Sequence, residues 1–328
     1  MTSRNFFVIG ILSLLVLVVS FFFGRYPHPY FTSLADFQSD EMVLKVVMGI
    51  RIPRVLMAFM LGMVLSASGT VFQMVFRNPL VDAGFLGVSS GAAFGASLAI
   101  VFMGGAVYAV QISAGTFAFA GLVASYGIAH RIKFGDWVLR LVLAGIAISA
   151  IYTAGSGVLK YLADPLRELP EMTFWMLGGL WGMTWPDAVH IIIVAMPCLA
   201  VIWLMRWRLN LLSMGDETAF SLIAAPGLER GVVLFAAVIS TAAVVSKAGQ
   251  IGWVGLIMPH IARRIVGSDA QKTLPCAMLI GGFFVLVCDN ISRSVFSGEI
   301  PLGILTSMIG AGVFIGLMMS PRLTVKKG

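Results

Sequence analysis

Charge is what this sequence has least of. Its 328 residues include 22 lysines and arginines and 15 aspartates and glutamates, so 11% of the chain is charged against 59% hydrophobic, with a mean hydropathy of +0.96. A soluble domain carries about a quarter charged residues. A chain this poor in charge cannot fold in water without exposing large apolar patches, which excludes a soluble globule. Reactive cysteine patterns are also missing. Cys198, Cys276 and Cys288 lie in apolar runs with no CxxC and no Cys/His spacing, and read as small buried hydrophobes. The four histidines, His28, His130, His190 and His260, form no HExxH motif and no i, i+4 pair, so no metal site is expected. There is no phosphate-binding loop either: Lys272 precedes Thr273, but no glycine-rich stretch leads into them. The chain is not expected to bind or hydrolyse ATP, and no polar constellation supports a catalytic residue.

Apolar runs are what remains. Hydropathy places spans near 6–23, 53–76, 84–103, 106–129, 137–159, 188–205, 231–247, 250–267, 274–292 and 302–319, each close to the roughly 20 residues a bilayer requires. The expected fold class is an all-α polytopic membrane protein with about ten transmembrane helices, residues 1–328 forming a single membrane domain. The first run, Phe6 to Phe23, lacks a small-residue cleavage site and reads as a retained span. The interval 250–267 is the weakest, being interrupted by Pro259 and closed by Arg263 and Arg264. Phe174 to Trp185 is apolar but too short to cross, which suits a half-helix or an interfacial segment.

Ten spans put both termini on one side. Of the 22 basic residues, 14 fall on that side and eight on the other, so the positive-inside bias makes the termini cytoplasmic. The net charge of +7 is thereby explained by short basic loops, and no nucleic-acid partner is implied.

The most informative stretch runs from Arg51 to Gly95. Two arginines flank Pro53, one apolar run ends at Arg77, Asn78 and Pro79, and a second follows. Within the first, Ala58, Gly62, Ser66 and Thr70 recur every fourth residue. Within the second, Gly87, Gly91 and Gly95 do the same. Such small-residue faces let helix backbones pack closely in lipid, or line a pore.

Two longer segments face outward. Gly24 to Arg51 carries Asp36, Asp40, Glu41 and Lys45 and suits an amphipathic helix on the membrane surface. Lys160 to Pro186 carries Asp164, Arg167, Glu168 and Glu171. Both read as rims of an external mouth or as solvated loops. The longest inner loop, 206–230, places Gly215, Asp216, Glu217 and Thr218 ahead of Ala219, Phe220, Leu222 and Ile223. Acids at the start of a short helix complement its dipole. That helix would dock into a soluble partner's groove or lie along the bilayer. One acid lies well inside a span, Asp289, with Arg293 one turn later, a spacing that pairs the charges or forms part of a proton relay. An ion-coupled secondary transporter would need several such groups and inverted repeats, neither of which is evident.

Several strings occur together in order: Arg51, Pro53 and Arg54 before a span; Gly69 and Gln73; RNPL at 77–80; GFLGVSSGA at 84–92; GLIMPHIARR at 255–264; and SGEIPLGILTSMIGAGVF at 297–314. This set resembles the FecCD family, the permease subunits of ABC importers for ferric siderophores, haem and cobalamin. The resemblance implies a type II ABC importer permease fold with ten helices per subunit and a second permease subunit, expected to be an identical chain. Two ATPase subunits holding the ATP and Mg2+, and an external substrate-binding protein, would complete the complex. It further implies that Arg51, Arg54 and Arg293 dock the binding protein, or touch lipid phosphate. Asn78, Pro79 and Leu80 would form the cytoplasmic gate or a plain turn, and Gly215, Asp216, Glu217, Thr218 and Ala219 would couple to the ATPase. Ile223 stands where the family usually has glycine. The implied cargo is an iron chelate, with cobalamin or molybdate as alternatives, and the implied location is the cytoplasmic membrane.

Overall fold

A computed structural model describes residues 3–27, 30–33, 36, 40–214, 221, 226–295 and 298–319. Among them are twelve helices and one short antiparallel ribbon. The helices are α1 (Ser3–Ser20), α2 (Glu41–Val75), α3 (Val88–Phe102), α4 (Val107–Arg131), α5 (Trp137–Leu162), α6 (Glu168–Leu177), α7 (Trp185–Leu204), α8 (Arg206–Leu212), α9 (Pro226–Ala248), α10 (Val254–Val266), α11 (Ala270–Ser294) and α12 (Leu302–Met319). The ribbon pairs β1 (Phe23–Gly24) with β2 (Tyr30–Phe31), Phe23 facing Phe31. Helices dominate because an apolar chain in lipid must satisfy its backbone hydrogen bonds within each segment.

Seven of these helices are long and apolar enough to cross a membrane: α2, α4, α5, α7, α9, α11 and α12. The apolar helices α1 and α3 are shorter, in line with spans sought at 6–23 and 84–103. The interval 250–267 differs from expectation. It holds only the 13-residue α10, about 20 Å at 1.5 Å per residue, too short to span a ~30 Å hydrocarbon layer. The backbone just before it is held out of the helix by Gly249 and Trp253, both at positive φ (69° and 71°).

A second difference concerns the outer segment. The surface helix expected before Arg51 and the span expected from Pro53 are one 35-residue rod, α2. Five residues, Val47–Arg51, form a wider π turn within it. That turn has a cause in Pro53, which has no N–H to give and whose ring crowds the carbonyl four residues earlier, a conflict that a widened turn relieves.

Helix α2 is the hub, with 83% of its apolar window buried, whereas α5 and α12 are 22% buried and flank the bundle. It packs mainly on α11, α9 and α10. Glycine makes these approaches possible: a Cβ on Gly62 would sit 2.0 Å from the Gly281 carbonyl oxygen, and one on Gly69 would sit 1.9 Å from that of Gly255. Hydroxyls reinforce the contacts. Ser68 donates to the Ala237 carbonyl (3.0 Å) and accepts from Thr241 (2.9 Å), tying α2 to α9. Gly91 and Gly95 lie against the carbonyls of Phe117 and Ser113 on α4, both 2.4 Å from an added Cβ, and Ser113 Oγ donates to Gly95 O at 2.7 Å. Gly87 differs from this stripe in being a left-handed hinge (φ 79°) ahead of α3.

Candidate translocation site

At the ribbon end of α2 the three predicted docking arginines converge, but they point into the protein. Arg54 Nε donates to Asp289 Oδ1 at 2.9 Å, and Nη1 to Glu299 Oε1 at 2.8 Å. Asp289 is fully buried. Arg293 approaches the other Asp289 oxygen at 3.4 Å and donates to the carbonyls of Ser20 (2.7 Å) and Phe23 (3.0 Å) and to Asn290 Oδ1. Arg51 donates to Thr32 Oγ1 (2.8 Å) and to the Tyr26 carbonyl. Its guanidinium occupies the space above Gly24, where a Cβ would lie 2.4 Å from it. Arg54 and Arg293 thus share two carboxylates while Arg51 pairs with neither, leaving excess positive charge around a cleft of about 280 Å3 that Arg25 also lines. The i, i+4 spacing had suggested the Asp289–Arg293 pair. It gave no sign of the closer partner, Arg54, 235 residues away in sequence.

At the opposite end of α2 lies the predicted gate. The helix stops at Val75, four residues before Pro79, which has no N–H to bond the Val75 carbonyl. The chain reverses at Arg77 (φ 52°), Asn78 N–H donates back to the Gln73 carbonyl (3.1 Å), and Asn78 Oδ1 accepts from Leu80 N–H (2.9 Å). Residues 77–80 are exposed. Arg77 lies 3.5 Å from Asp136, the residue capping α5, which links the turn to a second span. Above it, Gln73 donates to the carbonyls of Gly255 and Leu256 (3.3 and 3.0 Å) and accepts from Arg263, fastening α2 to the short α10.

Between these ends lies a pocket of about 640 Å3, a feature the sequence reading did not find. It is lined by Asp82, Gly84 and Ser89, by Met176 and Leu177 at the end of α6, by Gln250, Ile251 and Gly252, and by Gly303, Ile304, Ser307 and Met308 of α12. Non-helical backbone at such a place is tolerated where it lines a cavity or is buried in protein. Glycines bring the three strands of chain together: an added Cβ would lie 2.3 Å from the Gln250 carbonyl at Gly178, 2.2 Å from that of Trp175 at Gly249, and 2.4 Å from that of Leu177 at Gly303. The apolar stretch 174–185 is therefore a half-helix followed by a glycine-hinged return. Gln250 Nε2 donates to the Ser89 carbonyl (3.0 Å), and Asp82 Oδ1 accepts from Gly84 N–H (2.8 Å). Burial holds the Asp82 carboxyl above the ordinary carboxylate range. Met308 and Ile304 are 69% and 38% exposed, so the pocket opens on the outer face of α12.

The predicted coupling residues Gly215, Asp216, Glu217, Thr218 and Ala219, and Ile223, lie outside the described residues. The base of their loop is described. There α8 and α9 are joined by an ion pair of 3.2 Å between Arg208 and Glu229. Among the described residues, no group of three or more His, Cys, Asp and Glu could hold a metal ion.

The chain matches the family model of the FecCD transport family over residues 11–320. It is 34% identical over 315 residues to the molybdate import system permease protein MolB of Haemophilus influenzae, covering 94% of this chain and 93% of that one. It is 35% identical over 300 residues to the hemin transport system permease protein HmuU of Yersinia pestis, covering 89% and 88%. A solved structure of an ABC transporter assigned to the metal-chelate type, in an inward-facing conformation, superposes with a TM-score of 0.87 at 35% identity, covering 96% of this chain and 98% of that one. With seven membrane-length apolar helices, two shorter ones and a pocket between the ends of the hub helix, this multi-pass membrane protein belongs to the FecCD transport family.

Proposed function

We propose that the chain is the permease subunit of an ATP-driven importer that carries an iron chelate, a ferric siderophore or haem, across the cytoplasmic membrane. The observation that carries the cargo class is the central pocket. Its volume suits a drug-sized organic ligand, its walls are largely apolar, and its one ionisable group among the described residues is the carboxyl of Asp82. A metal wrapped in organic ligands suits such walls. A bare oxyanion would call for cationic or convergent N–H donors. The exposed α12 rim of the pocket fits closure by a second, identical permease subunit.

The excess positive charge around Arg51, Arg54 and Arg293 supports docking of an acidic external binding protein. Because the side chains are nearly buried, their contribution is the field they project, which speeds encounter and sets register. Gly215 to Ala219 would seat in a groove of the partner ATPase, which carries the ATP and Mg2+, while this chain uses no cofactor. Nucleotide-driven closure of the ATPase pair would shift the helices between inward- and outward-open populations, with the turn Asn78–Pro79–Leu80 as the cytoplasmic gate. Both termini would then be cytoplasmic.

Molybdate is the second reading, favoured by the similarity to MolB. The test is uptake of 55Fe-chelate, 55Fe-haem and 99Mo-molybdate in cells that lack their own systems and express the chain with its partner subunits. Iron accumulation supports the proposal. Molybdate accumulation without iron overturns the cargo assignment and leaves the importer reading intact, whereas ATP-independent accumulation of any of them overturns both.

A further inference from the structure

A second pocket, of about 370 Å3, lies at the end of the bundle opposite the ribbon, away from the central pocket. Its floor is apolar, with Phe6 of α1, Trp203 of α7, Val266 of α10 and Pro275 of α11, and its rim carries two cations, Arg206 and Lys272. Arg206 is held in place: it donates to the Trp203 carbonyl at 2.8 Å, and its guanidinium stacks over the Trp203 ring at 4.6 Å. Lys272 is placed against the trend. It sits in the first turn of the 25-residue α11, where the helix dipole disfavours a cation, and it forms no ion pair among the described residues.

The nearest acid, Asp269, attracts Lys272 through space without forming an ion pair with it, and offsets at most one of the two positive charges. Asp269 caps α11, and its Oδ1 already accepts from Asn210 Nδ2 (2.8 Å) and from Gln271 N–H (3.0 Å). The adjacent Ala270 N–H is satisfied by Asn210 Oδ1 (2.8 Å). The helix end needs no anion for its amides, and Arg206 and Lys272 together carry one more positive charge than the single acid beside them offsets. A ligand that fits here has a negatively charged head between Arg206 and Lys272 and an apolar body against Phe6 and Trp203. Basic pockets between membrane helices, at the level of the headgroups, accept anionic lipid in this way, and the arginine–tryptophan pair is typical of that interface.

We propose that this pocket binds the headgroup of one anionic phospholipid, with an acyl chain laid along the seam of α1, α7 and α11. The lipid would pin the start of α11, the helix that carries Asp289 and packs along the hub, to the end of α7.

The test uses the purified transporter complex and native mass spectrometry with phosphatidylglycerol and phosphatidylcholine. The expected result is retention of phosphatidylglycerol in preference to phosphatidylcholine. The Arg206→Gln/Lys272→Gln variant should weaken it by roughly 30-fold, from a surface-charge contribution of about five-fold per residue. Lys133→Gln, an exposed cation on another loop of the same end, should leave it unchanged. Equal retention of both lipids by the wild type overturns the proposal, as does an unaltered preference in the double variant or full displacement by inorganic phosphate. Should the double variant fail to fold, the wild-type complex still decides. Brominated phosphatidylglycerol should quench a fluorescence component that Trp203→Phe removes, and brominated phosphatidylcholine should not. Quenching that is the same for both lipids refutes the site.

Discussion

Replacing Asp289 with asparagine should be among the most damaging conservative changes in this protein, and the structure gives its size. Asp289 is fully buried, bonded to Arg54 at 2.9 Å and 3.4 Å from Arg293. Removing one partner of a buried charge set costs about 3–5 kcal/mol, mostly because the remaining charge is left uncompensated in a medium that solvates it poorly. The loss here falls at the low end, about 3 kcal/mol. Arg54 keeps Glu299, and Arg293 keeps the carbonyls of Ser20 and Phe23. Glu299 is 37% exposed, so Glu299→Gln should cost less than about 1 kcal/mol, in the range of solvated pairs. The assay is the unfolding free energy of the purified protein in bicelles, by steric trapping, for wild type and both variants. If Asp289→Asn costs no more than Glu299→Gln, the carboxylate is not what holds Arg54 and Arg293 together, and the account of the ribbon end fails.

Gly62→Val should destabilise the α2–α11 contact by about 3 kcal/mol or more, since its first side-chain carbon would lie 2.0 Å from a backbone oxygen. Gly10→Ala, which meets open space, should be neutral in the same steric-trapping measurement. Asp82→Asn should remove a pH dependence of stability. The folded state holds the Asp82 proton more tightly than the unfolded chain, so from the ordinary value of 3.8 up to the raised folded value, increasing pH costs stability. The variant should melt higher than wild type above that window and gain nothing below it, and parallel melting curves across pH would contradict the burial of this carboxyl. A cysteine at Glu217 should form a disulfide crosslink to a cysteine in the groove of the partner ATPase, and a clean negative from 215 to 219 would count against the coupling role.

The spans were legible because lipid imposes a length and a polarity on every crossing segment, and those are local properties. The stripe of Gly62 and Ser66 was legible for the same reason, being set by helical periodicity alone. What escaped depended on distant parts of the chain. Arg54 and Asp289 meet across 235 positions, and nothing in either run announces the other. The pocket is assembled from distant segments, at 82–89, 176–177, 250–252 and 303–308, whose meeting depends on glycines such as Gly178 and Gly249 at positive φ rather than on any motif. Hydropathy also misread the start of α10, because Ile251 and Trp253 are as apolar as the helix that follows. The family resemblance singled out the three arginines that lie together at the ribbon end, but it carried no information on which way they turn in this conformation.

The hub helix joins the arginine cluster to the turn at Asn78 without a break. From Arg54 to Val75 it is continuous α-helix, about 30 Å of hydrogen-bonded rod, while the only widened turn, Val47–Arg51, sits beyond the arginine. A rod of this kind bends little and does not shorten, so tilting its upper end about the glycine contacts at Gly62 and Gly69 swings its lower end the opposite way. Those two glycines would serve as a fulcrum, so that a small displacement at the arginine end would become one of comparable size at Asn78 with no signal passed from residue to residue.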